Sequence, residues 1–329
     1  MGTILHLNPE TDQEITSKVI EILKNSGTAI VPTDTVYGIV CDGLNDPAKK
    51  SIYLIKNRPE SKPLIGFINS IEKAEKLAFI PERFLGFIHK RWPGRNTFVF
   101  ISKTEISFMV DSEKKIALRI PNTSFISHIC DSFQILASTS ANISFHRSVS
   151  SIDRLEPEII ERASITVDGG TIFGQESAIW DMTQDTPRLI RGRILFVCSG
   201  NSCRSPMAQA ILQQLVSSSI QVISAGTESN FYGSISEEAF CVLKETGMEM
   251  DKKFVSKNMT EQMIESSDLI FAMEEKHLER ILKMLPDAYD KTFVLNVPDP
   301  AGGNIFKYRQ IRDIIKERIT NFVLTRIKT

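Results

Sequence analysis

The sequence predicts an α/β protein of two domains, the second built on a doubly wound parallel sheet. Three observations carry this expectation. The chain has 329 residues, two domains' worth at roughly 150 residues each. Short apolar strand patterns alternate with amphipathic helical stretches, most regularly after Arg193, as in βαβ units. Hydrophobic residues make up 42% and charged residues 24%; this suits two sizeable cores and excludes collagen, long disorder and a disulfide miniprotein.

Charge is balanced, at 39 basic against 40 acidic residues. Up to Gly192 the counts are 22 and 23, which leaves 17 of each, so neither half carries the positive excess of a protein held to nucleic acid by phosphate contacts alone. The cysteines are Cys41, Cys130, Cys198, Cys203 and Cys241. Their odd number, in a chain whose opening MGTILHLNPETDQEIT lacks a basic and then apolar leader, predicts thiols and a cytoplasmic location. The His and Cys spacings match no zinc pattern, so no metal ligated by the protein is expected. No apolar run approaches the roughly 18 residues that cross a bilayer, so no membrane partner is expected.

Along the chain, Thr11 and Glu14 form a capping box ahead of Ile15, Val19, Ile22 and Leu23, and Gly27 stands where a helix C-cap belongs. TAIVP (28–32) is a strand. Asp46 and Pro47 suit N-cap and first helical position of a helix reaching about Lys56. LIGFI (64–68), TFVFI (97–101), KIALRI (115–120), QILAST (134–139) and SAIWDM (177–182) read as strands, with helices around 70–78 and 81–91. A second unit begins at about Arg193, giving domains 1–192 and 193–329. ILFVC (194–198) is a buried strand, and Ser205 and Pro206 open the helix that follows. QVISAG, DLIFAM and KTFVLNV are later strands. Ile311, Ile314, Ile315, Ile319, Phe322 and Val323 share one helical face in the tail.

The strongest chemical signal is CSGNSCRSP, Cys198 to Pro206. A strand delivers Cys198 to a loop that ends at a helix N-terminus. Inward-turned backbone N–H groups and the helix dipole favour a bound phosphate and a lowered cysteine pKa. Arg204, six residues on, can return to hold two phosphate oxygens in its planar fork. Gly200 lets the backbone curl, Asn201 can pin the loop, and Ser205 can donate to the thiolate. Over 193–329 the sequence resembles the low-molecular-weight protein tyrosine phosphatase family. The resemblance implies Cys198 as nucleophile, Arg204 as the arginine of a phosphate loop that also holds Ser199, Ser202 and Cys203, and Asp299 of VPDPAGG as general acid, with no cofactor. Cys203 either pairs with Cys198 on oxidation or packs as a thiol. Ser202 and Ala301-Gly302-Gly303 look more like the bacterial protein arginine phosphatases of this fold, because they supply no aromatic wall for a phenyl ring. Phosphoarginine and phosphotyrosine both stay open as the phosphoprotein substrate.

In the first half, IVPTDTVYG (30–38) places Thr33, Asp34 and Thr35 straight after a strand. KNRPESKPL (56–64) sets Lys56, Arg58 and Lys62 at a helix end, while LRIP centres Arg119 and STSAN supplies Ser138, Ser140 and Asn142. Converging cations and hydroxyls at strand ends suit a phosphate-bearing ligand. Together these segments resemble the YrdC-like threonylcarbamoyl-adenylate synthase family across about 10–192. The resemblance implies a twisted α/β open sheet with a positively lined cavity. It also implies a reaction of L-threonine, bicarbonate and ATP, with Mg2+ accompanying the triphosphate, and a tRNA-modification partner that takes the threonylcarbamoyl group. Arg58, Lys62, Ser140, Asn142, Ser148 and Arg191 match ATP positions, to which Lys56 is adjoined. Thr35, Arg119, Ser138 and Ser177 match positions near threonine, beside Thr33. The chain departs from the family pattern at Phe67, Arg95, Phe145 and Ala178. The leading expectation is a bifunctional enzyme; the alternative is a non-catalytic RNA-binding first domain attached to an active phosphatase.

Overall fold

Runs of β-branched and aromatic residues fold into two sheets, one in each of the units Met1–Pro187 and Arg188–Thr329 into which the chain divides. The computed structural model describes residues 3–144, 146, 148–228, 233–248 and 253–328; Phe145 lies outside the described residues.

In the first unit the elements run β1 (Ile4–His6), α1 (Asp12–Lys24), β2 (Ala29–Val31), β3 (Gly38–Asp42), α2 (Asp46–Lys56), β4 (Ile65–Phe67), α3 (Ile71–Leu77), β5 (Ala78–Phe79), α4 (Leu85–His89), β6 (Asn96–Ser102), β7 (Lys115–Arg119), α5 (Ser124–Asp131), β8 (Leu136–Ser140), α6 (Pro157–Arg162), β9 (Ile165–Asp168) and β10 (Ala178–Asp181). The strands lie in the order β1-β9-β2-β3-β8-β4-β7-β6-β10, with β5 on β6. Pairing is mixed: β3 runs antiparallel to both β2 and β8, while β4 and β7 are parallel. The apolar faces of α1 and α5 (Val19, Leu23, Ile126, Ile129) pack on Val31, Val40, Leu136 and Val167 of the sheet. That burial removes apolar surface from water at about 25 cal/mol per Å².

The helix ends differ in detail from the sequence expectation. Thr11 does not cap through Glu14. Its hydroxyl donates to the His6 carbonyl at 2.9 Å and accepts from the Asn8 N–H at 3.1 Å, because the tight turn before α1 competes for it. The left-handed residue after α1 is Ser26, at φ 64°. Gly27 is required for space instead, since a Cβ there would lie 2.5 Å from Ile22 Cγ2. Asn45, one residue earlier than expected, caps α2 by accepting from the Ala48 N–H at 3.0 Å.

The second unit holds β11 (Arg188–Cys198), α7 (Arg204–Leu215), β12 (Ile220–Gly226), α8 (Glu237–Lys244), α9 (Glu261–Ser266), β13 (Leu269–Ala272), α10 (Glu275–Met284), β14 (Thr292–Val294) and α11 (Ile305–Arg318). All pairings are parallel, in the order β12-β11-β13-β14, so the direction of winding reverses at β11. Alternate residues of β11 serve the two faces. Leu195 and Val197 join Ile264, Ile270 and Ile281 on one side. On the other, Phe196 stacks on Phe271 at 5.5 Å, which in turn meets Phe293 at 5.8 Å. Ile311, Ile315, Ile319 and Val323 of the tail are buried, while Ile314 and Phe322 are half-buried. Helix α7 starts at Arg204 rather than after Ser205. Ser205 is drawn inside by its hydrogen bonds to the loop it follows.

Gly226 ends β12 against that loop: a Cβ would stand 2.5 Å from the Ser199 carbonyl and 3.0 Å from the Asn201 nitrogen. Both are backbone atoms of a turn pinned through its Ser199, Asn201 and Ser202 carbonyls, each of which accepts a hydrogen bond, so Gly226→Ala should destabilise the protein by about 1–3 kcal/mol, the usual range for overpacking. The check is the denaturant midpoint of the variant; an unchanged midpoint would show that the turn yields.

Candidate active sites

In the second unit, β11 carries Cys198 to the carboxyl edge of the sheet at the strand where the winding reverses, the position at which open α/β sheets form their crevice. Cys198 is buried. Asn201, at φ 51° and fully buried, forms the knot of the following turn. Its Oδ1 accepts from the Lys257 N–H at 2.9 Å. Its Nδ2 donates to the hydroxyls of Ser205 and Ser224, both at 3.0 Å. With Asn201 donating to it, the Ser205 hydroxyl has two acceptors within reach of its one proton, Cys198 Sγ at 3.0 Å and the Ala225 carbonyl at 3.4 Å. Burial pushes the Cys198 thiol above its ordinary value; the Ser205 hydroxyl and N–H, then Arg204 and the Asn201 N–H, pull the other way. The amino end of α7 adds a further pull toward the thiolate.

Arg204 is buried and committed to oxygen. Its Nη1 donates to Glu274 at 2.5 Å and to the Val297 carbonyl at 3.1 Å, and its Nη2 donates to Asp299. The chain therefore brings together Cys198, Arg204, Ser205 and Asp299, residues up to 101 positions apart in sequence. Ser199, Gly200 and Ser202 are partly exposed along the turn. Cys203 is a free thiol beside the Ser236 hydroxyl at 3.3 Å and the Tyr308 hydroxyl at 3.6 Å.

Sequence reasoning missed two partners here, Glu274 and His277. Glu274 clamps Arg204 and is held below the usual carboxylate range by Arg204 and Lys276, although burial, the largest influence, works against this. His277 Nε2 lies 2.9 Å from the Ser199 hydroxyl, and the Glu274 N–H donates to its Nδ1 at 3.1 Å. Polar residues directly after the apolar run DLIFAM were the available signal, because they leave the end of β13, the neighbour of β11.

In the first unit two buried cations organise the loops. Lys56 Nζ, at the end of α2, donates to the carbonyl of Ser140, to that of Asn142 at 2.5 Å, and to Asn142 Oδ1 at 3.2 Å. Burial, then Arg58, pushes its pKa down to about 7; three acceptor oxygens call for three N–H donors, which only the ammonium possesses. Lys56 thus shapes the 140–142 turn from beneath. Arg58 donates to the carbonyls of Lys62 at 3.1 Å and Pro63 at 2.9 Å, fixing the loop on which the exposed Lys62 stands.

Arg119 donates to Asp34 Oδ1 at 2.5 Å, Thr35 Oγ1 at 2.9 Å and the Gly94 carbonyl at 3.0 Å. Thr33 and Thr35 share a hydrogen bond of 2.9 Å. Strands β3 and β7 are three spacings apart, about 14 Å on a flat sheet, so the 32–37 loop and the curl of the sheet must close that gap. Ser138 lies near Thr33, since both flank the open side of Gly38. Ser177 accepts from Thr97 Oγ1 at 3.0 Å, and the backbone at Gly174 packs directly on the Thr35 carbonyl. Thr33, Thr35, Ser138 and Arg119 thus form one group, and Lys56, Ser140 and Asn142 another, joined where Gly38 pairs with Ser140. Ser148 is half-buried next to Val149, whose carbonyl accepts from the Tyr37 N–H at 3.2 Å. Arg191 stands on β11, in the second unit. Phe67 is buried under Arg119, whose guanidinium carbon is 5.6 Å from the ring centre, so the departure there is filled by an apolar face. Among the described residues no group of three or more His, Cys, Asp or Glu side chains is placed to hold a metal ion. No helix of the described residues is long and apolar enough to cross a membrane.

The Sua5/YciO/YrdC family profile, described as "Telomere recombination", matches residues 21–192, and the low-molecular-weight phosphotyrosine protein phosphatase profile matches 193–329. A protein-arginine-phosphatase of Geobacillus stearothermophilus is 38% identical over 136 residues, which is 39% of this chain and 90% of the relative. A putative threonylcarbamoyl-AMP synthase of Methanocaldococcus jannaschii is 33% identical over 191 residues, 56% of this chain and 91% of the relative. The crystal structure of Escherichia coli YciO superposes with a TM-score of 0.52 at 21% identity, covering 58% of this chain and 95% of that one, a likeness of fold. The chain belongs to the Sua5/YciO/YrdC family through residues 21–192 and to the low-molecular-weight phosphotyrosine protein phosphatase family through residues 193–329, as a fusion of the two.

Proposed function

We propose that the protein is a bifunctional enzyme. In this reading residues 193–329 hydrolyse a phosphorylated protein side chain through phosphocysteine, and residues 1–192 make threonylcarbamoyl-AMP from L-threonine, bicarbonate and ATP. The observation that carries the first half of the proposal is the Cys198–Ser205 cradle with Arg204 and Asp299 at its mouth. An incoming phosphoryl group takes the place of the Asp299 carboxylate on the guanidinium fork, because both present paired oxygens to it. The Cys198 thiolate then attacks phosphorus in line. The S–P bond forms as the bond to the leaving group breaks; the Asp299 carboxylate, released from Arg204, takes up the proton that the Cys198 thiol gives off, by way of solvent, and passes it to the leaving group. Water next attacks the phosphocysteine and Asp299 takes the proton back. The S–P bond breaks, returning the thiolate and inorganic phosphate. Phosphoarginine is the favoured substrate, on the strength of Ser202, Ala301-Gly302-Gly303 and the similarity to a protein-arginine-phosphatase.

For the first unit the reading rests on the two buried-cation groups. Arg58, Lys62, Ser140, Asn142 and Ser148 are assigned to ATP, above a turn that Lys56 shapes. Thr33, Thr35, Arg119, Ser138 and Ser177 are assigned to L-threonine. Catalysis there is positioning and charge neutralisation, since a carbamate and a triphosphate must approach one another. Mg2+ would arrive on the triphosphate oxygens. The product suits a partner that passes the threonylcarbamoyl group to tRNA.

Cys198→Ser should abolish turnover of phosphoarginine and phosphotyrosine peptides while still binding inorganic vanadate. Arg204→Lys should lose about 10²- to 10³-fold in kcat, as expected when a two-point donor becomes a point charge. Full activity in Cys198→Ser would remove the mechanism, and a wild-type preference for phosphotyrosine would reverse the substrate assignment.

For the first unit, pyrophosphate release should require ATP, L-threonine and bicarbonate together. Arg58→Ala should weaken ATP binding by about 1.5–3 kcal/mol, the worth of one charged hydrogen bond. Calorimetry with Mg2+ and threonine present provides the check. RNA binding with steep salt dependence and no ATP binding would favour the RNA-module reading instead.

A further inference from the structure

Beside the cysteine loop lies a cavity of about 350 Å³ whose lining includes Ser199, Glu228, Lys276, Glu279, Arg280 and Lys283. It belongs to none of the catalytic steps above. Lys276, Arg280 and Lys283 are four and seven residues apart on α10, so the helical repeat places them on one face. Lys276 pairs with Glu274 at 3.0 Å. Arg280 and Lys283 make no ion pair among the described residues, although Glu279 shares their helix, and all three cations are exposed.

Ser199 contributes a donor at the end of this cavity nearest the nucleophile, and the hydrogen bonding around His277 dictates which way its proton faces. The Glu274 N–H donates to His277 Nδ1, so that nitrogen carries no hydrogen. Burial, then Arg204, pushes the imidazole down to about 4, which leaves it neutral at physiological pH. The ring proton is therefore on Nε2 and is donated to the Ser199 hydroxyl oxygen at 2.9 Å. The Ser199 O–H is not spent on His277 and is left for a ligand. One cavity thus gathers a fixed hydroxyl donor and three cations, of which Lys276 is shared with Glu274, against the lining carboxylates Glu228 and Glu279, next to the residue proposed to accept the phosphoryl group.

We propose that this cavity is a subsite for an acidic side chain flanking the phosphorylated residue of the protein substrate, with Ser199, Lys276, Arg280 and Lys283 as its donors. The inference rests on the phosphatase reading and adds a sequence preference to it. Glu228 and Glu279 keep the net charge small, so the subsite favours an anion delivered by a bound peptide over free anions.

The test compares two phosphopeptides that differ only by Asp or Asn next to the phosphorylated residue, with p-nitrophenyl phosphate as the probe of bare phosphatase chemistry. The wild type should show a KM about three- to tenfold lower for the Asp peptide at low salt, with kcat little changed, the span expected for a few partly exposed ion pairs. Arg280→Glu combined with Lys283→Glu should bring that ratio to one or invert it. Ser199→Ala should reduce it. Equal KM values for the two peptides in the wild type, or a preference that survives the double charge reversal, overturns the subsite while leaving the phosphatase intact. Failure to hydrolyse p-nitrophenyl phosphate and both peptides removes the phosphatase reading and the subsite with it.

Discussion

A cation taken out of water must be ringed by oxygen atoms, and both units of this protein are organised by that requirement. An uncompensated buried charge costs several kcal/mol. Lys56, Arg119 and Arg204 are each almost fully buried, and each offsets part of that cost by drawing in loops from distant parts of the chain. Lys56 collects the 140–142 turn, Arg119 the 34–35 and 94 segments, and Arg204 the residues at 274, 297 and 299. The loops assigned to the proposed sites are held by these contacts, the kind of preorganisation that electrostatic catalysis needs.

In the second unit the same requirement sets the reactivity of the thiol. Two carboxylates share the charge of Arg204, so less of it reaches Cys198, whose burial then raises its pKa. Asp299 has the lesser hold on this arrangement: it is the more exposed of the two carboxylates, at 39% against 33% for Glu274, and it sits on the 297–303 loop, whereas Glu274 leads directly into α10. In the proposed mechanism, a substrate phosphate that replaces Asp299 brings the arginine charge to bear where the reaction occurs and frees Asp299 for the leaving group.

Much of this was legible in the sequence where the signal is local. ILFVC followed by CSGNSCRSP announces strand, cradle and helix in one stretch, and the structure keeps that order in β11 and α7. The strands at 65–67, 96–102, 115–119 and 136–140 followed from their apolar and β-branched runs. By contrast β3 was not read as a strand, because GIVCD follows the polar TDTVY segment directly and no turn residues separate the two. The three-residue β1 and the four-residue β9 are too short to show a period. Helix starts slipped by one residue at α2, where Asn45 rather than Asp46 is the cap, and by two at α7, where Cys203 rather than Ser205 precedes the first helical residue. Glu274 and His277 escaped because their partners lie 70 and 78 residues away, and no local pattern records a contact of that range.

The claim at the centre of this account is that Asp299 holds back the charge of Arg204 from Cys198. Alkylation of Cys198 by iodoacetamide, followed peptide by peptide in the mass spectrometer against pH, measures the thiolate directly and separates it from the exposed Cys241 and the half-buried Cys203. Asp299→Asn removes one negative charge from the guanidinium fork and keeps the side chain's shape, so the account predicts that the midpoint of Cys198 alkylation moves to lower pH in the variant. A midpoint that stays in place or moves to higher pH would contradict it.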